Sequence, residues 1–304
     1  MSLRINSNIM AMNAYRNLNT TDKGMAGSLE KLSSGLRINR AADDAAGLSI
    51  SQGLQSQIGG LQVAARNAQD GINVVQTADG ALGESEAILQ RMRDLAVQAS
   101  NSGSQDASAQ SAAQTEFGQL NSELDRIVST TKFGSQTLLN GSYQGAFQVD
   151  SGTGSGSQIT VDLGSTTLSG LAPTGTAVAN ASDVAITGLD STGLGTSTLS
   201  LTGTTSANGH SNSAQDAVDQ LDDAIKFVST VRANLGAYQN RFDHTINNIN
   251  VAVENLSASK SAITDTDMAQ EMTKFTKSQI LQQAGTAMLS QANSAPQAVL
   301  KLLG

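Results

Sequence analysis

The chain has 304 residues, a formal net charge of −8, no cysteine and no tryptophan, and aromatic residues make up only 3% of it. Its acidity argues against nucleic acid as a partner, because binding to phosphates depends on clustered positive charge. The lack of cysteine excludes disulfides and cysteine-based metal sites. Since large aromatic side chains supply much of a thick globular core, the composition favours long, thin helices.

The first part of the chain predicts three helices. Apolar residues recur in steps of three and four, the spacing of helices that pack along their length. The sequence "NSGSQD" at 101–106 interrupts this spacing. The predicted stripes contain Leu18, Met25, Leu29, Leu32 and Leu36; then Leu54, Ile58, Leu61, Ala65, Ala68, Ile72, Val75, Leu82, Leu89, Met92, Ala96 and Ala99; then Ala113, Phe117, Leu120, Leu124 and Ile127.

The middle of the chain, residues 141–213, has a different composition. It holds thirteen of the 29 glycines and neither lysine nor arginine. The runs "AFQVD" and "QITVDLG" alternate apolar and polar residues around the turn-rich "SGTGSGS", which predicts a β-hairpin. The later runs "DVAITGL" and "TSTLSLTG" fit either strands or loop, and Pro173 lies outside every predicted helix.

The C-terminal third repeats the helical spacing, with a stripe from Leu221 to Ile263 and another from Met268 to Leu302. Helices of this kind are stabilised mainly by packing an apolar face against a partner. The predicted fold is therefore mainly α. A long antiparallel helical rod or coiled coil is formed by the N- and C-terminal segments, with a small β/loop insertion, a β-hairpin, in the middle.

The residues predict no catalytic, metal-binding or cofactor-binding site, so we expect neither an enzyme nor a cofactor. His210 and His244 lack the HExxH spacing of a zinc site. The sequence "TDTDMA" at 264–269 resembles the start of a calcium loop without its later glycine and glutamate, and it predicts a helix N-cap instead. Spanning a membrane takes about 18 consecutive apolar residues. The apolar runs of this sequence are only a few residues long, so no membrane insertion is expected. The N-terminus "MSLRINSNIMAMNAYRNLN" lacks the apolar segment of a cleavable signal peptide.

A charged cluster stands out in "KLSSGLRINRAADDAAGLSIS", residues 31–51: Arg37, Arg40, Asp43 and Asp44. As a catalytic set it has no nucleophile and no base that titrates near neutral pH. As a solvated face it would contribute about 0 to 1 kcal/mol per ion pair. The surrounding small residues permit close approach of another backbone, and arginine facing carboxylates fixes register between chains. We predict a joint between helical segments where subunits meet.

Both ends of the chain closely resemble bacterial flagellin. The N-terminal resemblance lies in "RINSNIMAMNAYRNL" and "SLEKLSSGLRINRAADDAAGLSIS". The C-terminal resemblance runs from "RANLGAYQNRFDHTINNINVAVENL" through "SASKSAITDTDMAQEMTKFTKSQILQQAGTAMLSQANSAPQAVLKLL". It covers residues 1–140 and 215–304, while the middle matches no particular member.

The resemblance implies three regions. Residues 1–41 with 264–304 would form an inner helical hairpin in the filament core, residues 42–140 with 214–263 an outer helical rod, and residues 141–213 a variable, surface-exposed insert. The cluster at 37–44 would lie at the connection of the two helical layers. The residues expected to pack the core helices are Ile5, Ile9, Leu29, Leu32, Leu36, Met272, Phe275, Leu281, Met288, Val299 and Leu302.

The function that the resemblance implies is that of a structural subunit of the extracellular flagellar filament. Such a subunit is exported unfolded through the flagellar type III system. The implied partners are further copies of the chain, an export chaperone at the C-terminal helix, the filament cap and the hook–filament junction proteins. Because the terminal stripes lack a sufficient partner within one chain, we expect them to order on assembly. The alternative is a hook–filament junction protein, which has similar terminal helices.

The segment "LQRMRDLAVQASN", residues 89–101, resembles the part of flagellin that vertebrate Toll-like receptors recognise. Carried over by position, Arg91, Leu95 and Glu116 are the expected receptor contacts. The alternative is that Arg91 and Leu95 serve only the surface and the packing of the helix.

Overall fold

The computed structural model describes residues 8–101, 106–154, 156–163, 190–192, 194, 196, 199–202 and 213–303. Long helices lie at both ends of the described chain and short strands lie between them, which confirms the predicted mainly-α fold class. The elements in order are α1 Ile9–Ser34, α2 Ala45–Ser100, α3 Ala107–Thr130, β1 Lys132–Phe133, β2 Gln136–Thr137, β3 Gln144–Gln148, β4 Gln158–Asp162, α4 Ser213–Thr264 and α5 Met268–Leu303.

Polar side chains cap the starts of three helices. The side chain of Asn8 accepts a hydrogen bond from the backbone N–H of Ala11, and Asp106 caps α3 in the same way. Asp267 Oδ1 accepts hydrogen bonds from the backbone N–H groups of Ala269 and Gln270, at 2.9 and 3.1 Å. These bonds satisfy donors that a helix leaves unpaired. They confirm the N-cap predicted in "TDTDMA" and the helix break predicted in "NSGSQD".

The middle of the chain contains two small antiparallel ladders. Strands β3 and β4 pair from Gln144 opposite Asp162 to Gln148 opposite Gln158, which confirms the predicted hairpin. Strands β1 and β2 form a second ladder of two residue pairs that the sequence did not predict. The run "DVAITGL", Pro173 and His210 lie outside the described residues, as does part of "TSTLSLTG".

The chain divides into two compact units. One contains Met1–Ile58 with Val253–Gly304, and the other contains Gly59–Ala252. The boundaries fall within α2 and α4, whereas the division implied by the resemblance lies at residues 41/42 and 263/264. That division concerns the layers of a filament and stays a prediction.

The larger unit is built around α2 and α4, which run antiparallel here. Arg93 pairs with Asp222 and Glu86 pairs with Arg232, so rising residue numbers on one helix meet falling numbers on the other. Helix α3 and the β3–β4 hairpin complete a shared apolar core. Its largest fully buried side chains are Leu82, Leu89, Met92, Phe117, Leu124, Leu138, Leu139, Ile159, Leu201, Leu221, Leu235 and Phe242.

Gly71 of α2 lies directly against the ring of Phe242 on α4. A Cβ atom placed on Gly71 would lie 2.6 Å from the ring of Phe242, well inside ordinary contact distance. The same ring meets Phe147 of β3 edge-on, with ring centroids 5.5 Å apart. The glycine therefore makes room for an aromatic pair that joins α2, α4 and the hairpin.

The smaller unit contains the antiparallel pair of α1 and α5. Asn8 Nδ2 donates to the carbonyl of Ala292 at 2.7 Å near one end of the pair. Ser28 Oγ donates to Glu271 Oε1 at 2.7 Å near the other end. The structure thus pairs α1 and α5 within one chain. The expected ordering on assembly and the place of this pair in a filament core stay predictions.

Candidate functional site

The seam between α1 and α5 is lined mainly by small and polar residues. Its members recur at steps of three and four and are buried or half-buried. Coiled-coil seams usually carry large aliphatic side chains at these positions, whereas here only five of the fourteen seam residues are large and apolar. The seam residues are Ala11, Ala14, Leu18, Thr21, Met25, Ser28 and Leu32 on α1, and Glu271, Phe275, Ser278, Gln282, Gly285, Leu289 and Ala292 on α5.

Most large apolar side chains of the same two helices point away from the seam. Ten of them are between 47 and 68% exposed. We call these residues the outer apolar surface; they are Ile9, Met10, Met12, Tyr15, Leu29, Met268, Met272, Ile280, Leu281 and Met288. Monomeric soluble proteins rarely expose large contiguous apolar areas, and those that exist are usually interaction sites.

The structure separates the predicted core-packing residues into two groups. Leu32, Leu36 and Phe275 are half-buried, and two of them belong to the seam. Five lie on the outer apolar surface: Ile9, Leu29, Met272, Leu281 and Met288. Ile5 and the side chains of Val299 and Leu302 lie outside the described residues. The packing of the exposed five against other copies stays a prediction.

A buried acidic residue fixes the register of the seam. Glu271 is only 5% exposed. Its carboxylate accepts hydrogen bonds from Ser28 Oγ at 2.7 Å and from Lys274 Nζ at 3.0 Å. The Ser28 hydrogen bond, and secondarily Lys274, lower the pKa of Glu271 below its ordinary value despite burial. Sequence analysis missed this site, although a serine and a glutamate at seam positions of two amphipathic helices are a usable signal.

The charged cluster begins in a segment that pairs with the end of α4. Arg37 N–H donates to the Thr264 carbonyl at 2.7 Å, and Thr266 N–H donates to the Gly35 carbonyl at 3.0 Å. Gly35 has φ 73°, a left-handed conformation that glycine adopts without strain and that ends many helices. The guanidinium of Arg37 donates to the Ile263 carbonyl at 2.5 Å. Local chemistry thus ends α1 and turns the chain alongside residues 263–266.

The other three members of the cluster also have partners within the chain. Arg40 Nε donates to Glu30 Oε1 at 2.9 Å. Asp43 Oδ2 accepts from the backbone N–H groups of residues 39 and 40, and these bonds lower the pKa of Asp43. Asp44 Oδ1 accepts from Gly47 N–H at 2.9 Å, in the manner of a cap at the start of α2. The structure thus gives Arg40 a glutamate rather than an aspartate partner, and a role between subunits stays a prediction.

The three expected receptor contacts have different environments. Arg91 on α2 and Glu116 on α3 form an exposed ion pair, with Nη2 and Oε1 2.7 Å apart. Leu95 is only 2% exposed and belongs to the core of the larger unit. Of the three residues, only those of the ion pair are accessible in the single chain, and recognition by a receptor stays a prediction.

The described residues contain no group of three or more histidine, aspartate or glutamate side chains placed to hold a metal ion. His244 lines an open groove of about 840 Å³ together with Arg241 and Asp150. The part of the chain that the structure describes has no helix that combines the length and the hydropathy of a membrane span.

Comparison with known proteins agrees with the resemblance at both ends. Residues 5–144 match the bacterial flagellin N-terminal helical region, and residues 218–303 match the bacterial flagellin C-terminal helical region. The chain is 47% identical over 299 residues to the flagellin of Halalkalibacterium halodurans, covering 98% of this chain and 99% of that protein. It is 43% identical over 316 residues to the flagellin of Bacillus subtilis strain 168, covering 99% and 100%. It is also 43% identical over 306 residues to flagellin FlaB2 of Treponema pallidum, covering 98% and 99%.

These relatives carry the name of a structural protein family rather than of an enzyme, in agreement with the predicted lack of a catalytic role. The chain belongs to the bacterial flagellin family and is a structural subunit of the flagellar filament.

Proposed function

We propose that the chain polymerises by burying the outer apolar surface of α1 and α5 against neighbouring copies, so that this helical hairpin forms the filament core. The observation that carries the proposal is the distribution of side chains on the hairpin. Small and polar residues make up most of its seam, while ten large apolar residues are exposed. A further copy of the same chain is the occupant that a structural filament subunit supplies.

The exposed apolar side chains of this surface supply a free-energy gain that favours assembly. Burying one large apolar side chain contributes about 1.5 to 3 kcal/mol. Ten half-exposed side chains therefore represent roughly 10 kcal/mol of gross gain per subunit on that scale, before the costs of association and ordering. Head-to-tail contacts that do not close into a ring give an open helical fibre. A subunit that buries this surface on several neighbours thus elongates a filament.

Export and assembly partners follow from the family resemblance. The chain leaves the cell unfolded through the flagellar type III system and takes its place in the extracellular filament. Its lack of cysteine and its two prolines suit passage through a narrow channel without disulfides or many rigid turns. The exposed apolar residues of α5 are the surface that an export chaperone would cover before secretion. The filament cap and the hook–filament junction proteins are the partners at the two ends of the polymer.

Recognition by a vertebrate Toll-like receptor is a further proposed role, centred on the Arg91–Glu116 pair. The support is the exposure of this pair on α2 and α3 together with the resemblance of residues 89–101. Substituting Arg91→Ala should weaken receptor activation in a reporter assay while the chain stays folded, since exposed ion pairs contribute about 0 to 1 kcal/mol to stability. Equal activation by the variant and the parent chain would remove Arg91 from the receptor contacts.

Seeded polymerisation followed by electron microscopy tests the main proposal. The variant carrying Leu281→Gln and Met288→Gln places polar amides on the outer apolar surface and keeps good helix formers. We expect its helix content to equal that of the parent chain and its filament growth to be lost. Gln283→Ala, at another exposed position of α5, is the matched control and should polymerise normally.

The same experiment separates the filament subunit from a junction protein. A filament subunit adds continuously to seeds, whereas a junction protein stops after a short, fixed layer. Normal growth of the Leu281→Gln, Met288→Gln variant would refute the assignment of this surface. Deletion of residues 268–304 should also abolish growth.

A further inference from the structure

The outer apolar surface is rich in methionine. Five of the eight methionines of the chain belong to it: Met10, Met12, Met268, Met272 and Met288. Their exposure ranges from 47 to 68%, whereas Met92 is fully buried in the core of the larger unit. Met25 lies half-buried in the seam. The thioether groups of the chain are thus concentrated on the surface that the proposed function assigns to subunit contacts.

We propose that these five methionines make polymerisation sensitive to oxidation: hydroperoxide oxidises them in the unassembled chain, the oxidised subunit no longer adds to a filament, and assembly protects them. This inference rests on the proposed function, because the five side chains must become buried between copies.

The chemistry requires only a hydroperoxide and access to the sulfur atom. The lone pair of the methionine sulfur attacks one peroxide oxygen, and the O–O bond breaks as the S–O bond forms. The sulfur is oxidised by two electrons to a sulfoxide. When the oxidant is hydrogen peroxide, the proton on the transferred oxygen moves to the second peroxide oxygen, which leaves as water. No catalytic side chain is needed, so exposure decides which methionines react.

Oxidation changes the surface where the proposed contacts form. Methionine is flexible and apolar and adapts to irregular contact surfaces. A sulfoxide is polar and carries a strong hydrogen-bond acceptor. Burying a polar group without a partner is unfavourable, and five such groups would enter the contacts of each subunit. The fold of the single chain should tolerate the change, because the five side chains are exposed in it.

The test treats monomer and filament of the wild-type full-length chain separately with hydrogen peroxide and maps oxidation by peptide mass spectrometry. In the monomer we expect sulfoxide at the five surface methionines and unmodified Met92. In the filament the same five should react at least tenfold more slowly. Circular dichroism of the oxidised monomer should show unchanged helix content, and its rate of addition to seeds should fall at least tenfold. Treatment with methionine sulfoxide reductases of both epimer specificities should restore the rate.

A variant with all five residues changed to leucine separates surface oxidation from other damage. This variant should polymerise and keep its elongation rate after peroxide treatment, whereas Met92→Leu should remain as sensitive as wild type. Undiminished elongation of the oxidised wild-type chain, or equal sensitivity of the five-leucine variant, would overturn the inference. If the five-leucine variant fails to polymerise, recovery of wild-type growth with the reductases supports the inference, and lack of recovery overturns it. Failure of untreated wild-type monomer to add to seeds would instead overturn the proposed function.

Discussion

The two units of this chain use antiparallel helix pairs in opposite ways. In the larger unit, α2 and α4 turn their large apolar residues inward, and Leu82, Leu89 and Phe242 are fully buried. In the smaller unit, α1 and α5 meet across a seam of mainly small and polar residues and leave most of their large apolar residues exposed. Both pairs share the spacing of three and four residues. The two pairs therefore differ in where the large side chains lie relative to the seam, inward in the larger unit and mostly outward in the smaller unit.

Charged residues follow the same contrast. In the larger unit Arg232 bridges Asp79 and Glu86 across the helix pair, at 2.9 and 2.6 Å, in partly exposed positions. Such pairs contribute little stability and mainly fix register. In the smaller unit the carboxylate of Glu271 is buried within the seam itself. A seam that contains a charge and few large apolar residues holds the helices in register with only modest stabilisation.

The largest loss of stability should come from removing an aromatic ring from the core of the larger unit. Phe242→Ala deletes a fully buried ring that contacts Phe147 edge-on. Such substitutions cost about 3 to 5 kcal/mol in free energy of unfolding. Urea unfolding followed by circular dichroism measures the loss. Leu281→Ala is the control on the outer apolar surface and should change stability by less than about 0.5 kcal/mol. Comparable losses in the two variants would mean that the hairpin has a core of its own.

A smaller loss of stability should follow from adding one methyl group where α2 lies against the Phe242 ring of α4. Gly71→Ala places a Cβ atom 2.6 Å from the Phe242 ring. Overpacking of this kind costs about 1 to 3 kcal/mol. Gly80→Ala, also in α2, meets no atom within 4 Å and should stabilise the helix by roughly 0.5 to 1 kcal/mol. Thermal unfolding of the two variants should shift in opposite directions, and a shared direction would contradict the close approach.

The smaller unit should respond to acid through Glu271. Its pKa in the folded chain is lowered, so ionised Glu271 stabilises the hairpin at pH values above the ordinary glutamate pKa. That contribution is lost as the pH falls through the lower, folded-state value. Hydrogen exchange of α1 and α5 between pH 6 and pH 3 measures the loss of protection. Glu271→Gln should reduce protection at pH 6 by about 1 to 2 kcal/mol and flatten its pH dependence. The exposed control Glu254→Gln should retain the acid response, and identical profiles for the two variants would exclude Glu271 as its source.

The sequence predicted the elements well because helices and hairpins follow local spacing. The break at "NSGSQD", the cap at Asp267 and the β3–β4 pairing are all set by residues close in sequence. The two-residue ladder of β1 and β2 was missed because such short strands carry no alternating pattern.

The faces of the helices were harder to predict. Leu18 and Leu29 belong to one predicted stripe, yet Leu18 lies in the seam and Leu29 is exposed. Which positions face inward is decided by a partner helix more than 240 residues away, as the Ser28–Glu271 bond illustrates. The same difficulty occurs in α2, where the predicted stripe contains Ala65. The structure leaves Ala65 half-buried and buries its neighbour Ala64. The spacing of apolar residues within one helix does not determine how that helix is rotated about its axis against its partner.

The smallest effect on the single chain, and the sharpest separation of folding from assembly, should come from Arg37→Ala. The guanidinium of Arg37 bonds the Ile263 carbonyl at an exposed position, and a hydrogen bond of this kind contributes about 0.5 to 1.5 kcal/mol at most. The backbone bond from Arg37 N–H to Thr264 stays in place, so thermal unfolding of the monomer should shift only slightly.

If Arg37 also contacts a neighbouring copy, seeded growth of the variant should slow or give filaments of altered shape. Lys260→Ala is a suitable control, because it removes another exposed side-chain bond of the same unit, to Gln55. A large loss of monomer stability in Arg37→Ala would place the role of this residue within one chain, and normal filaments from a stable variant would remove it from the subunit contacts.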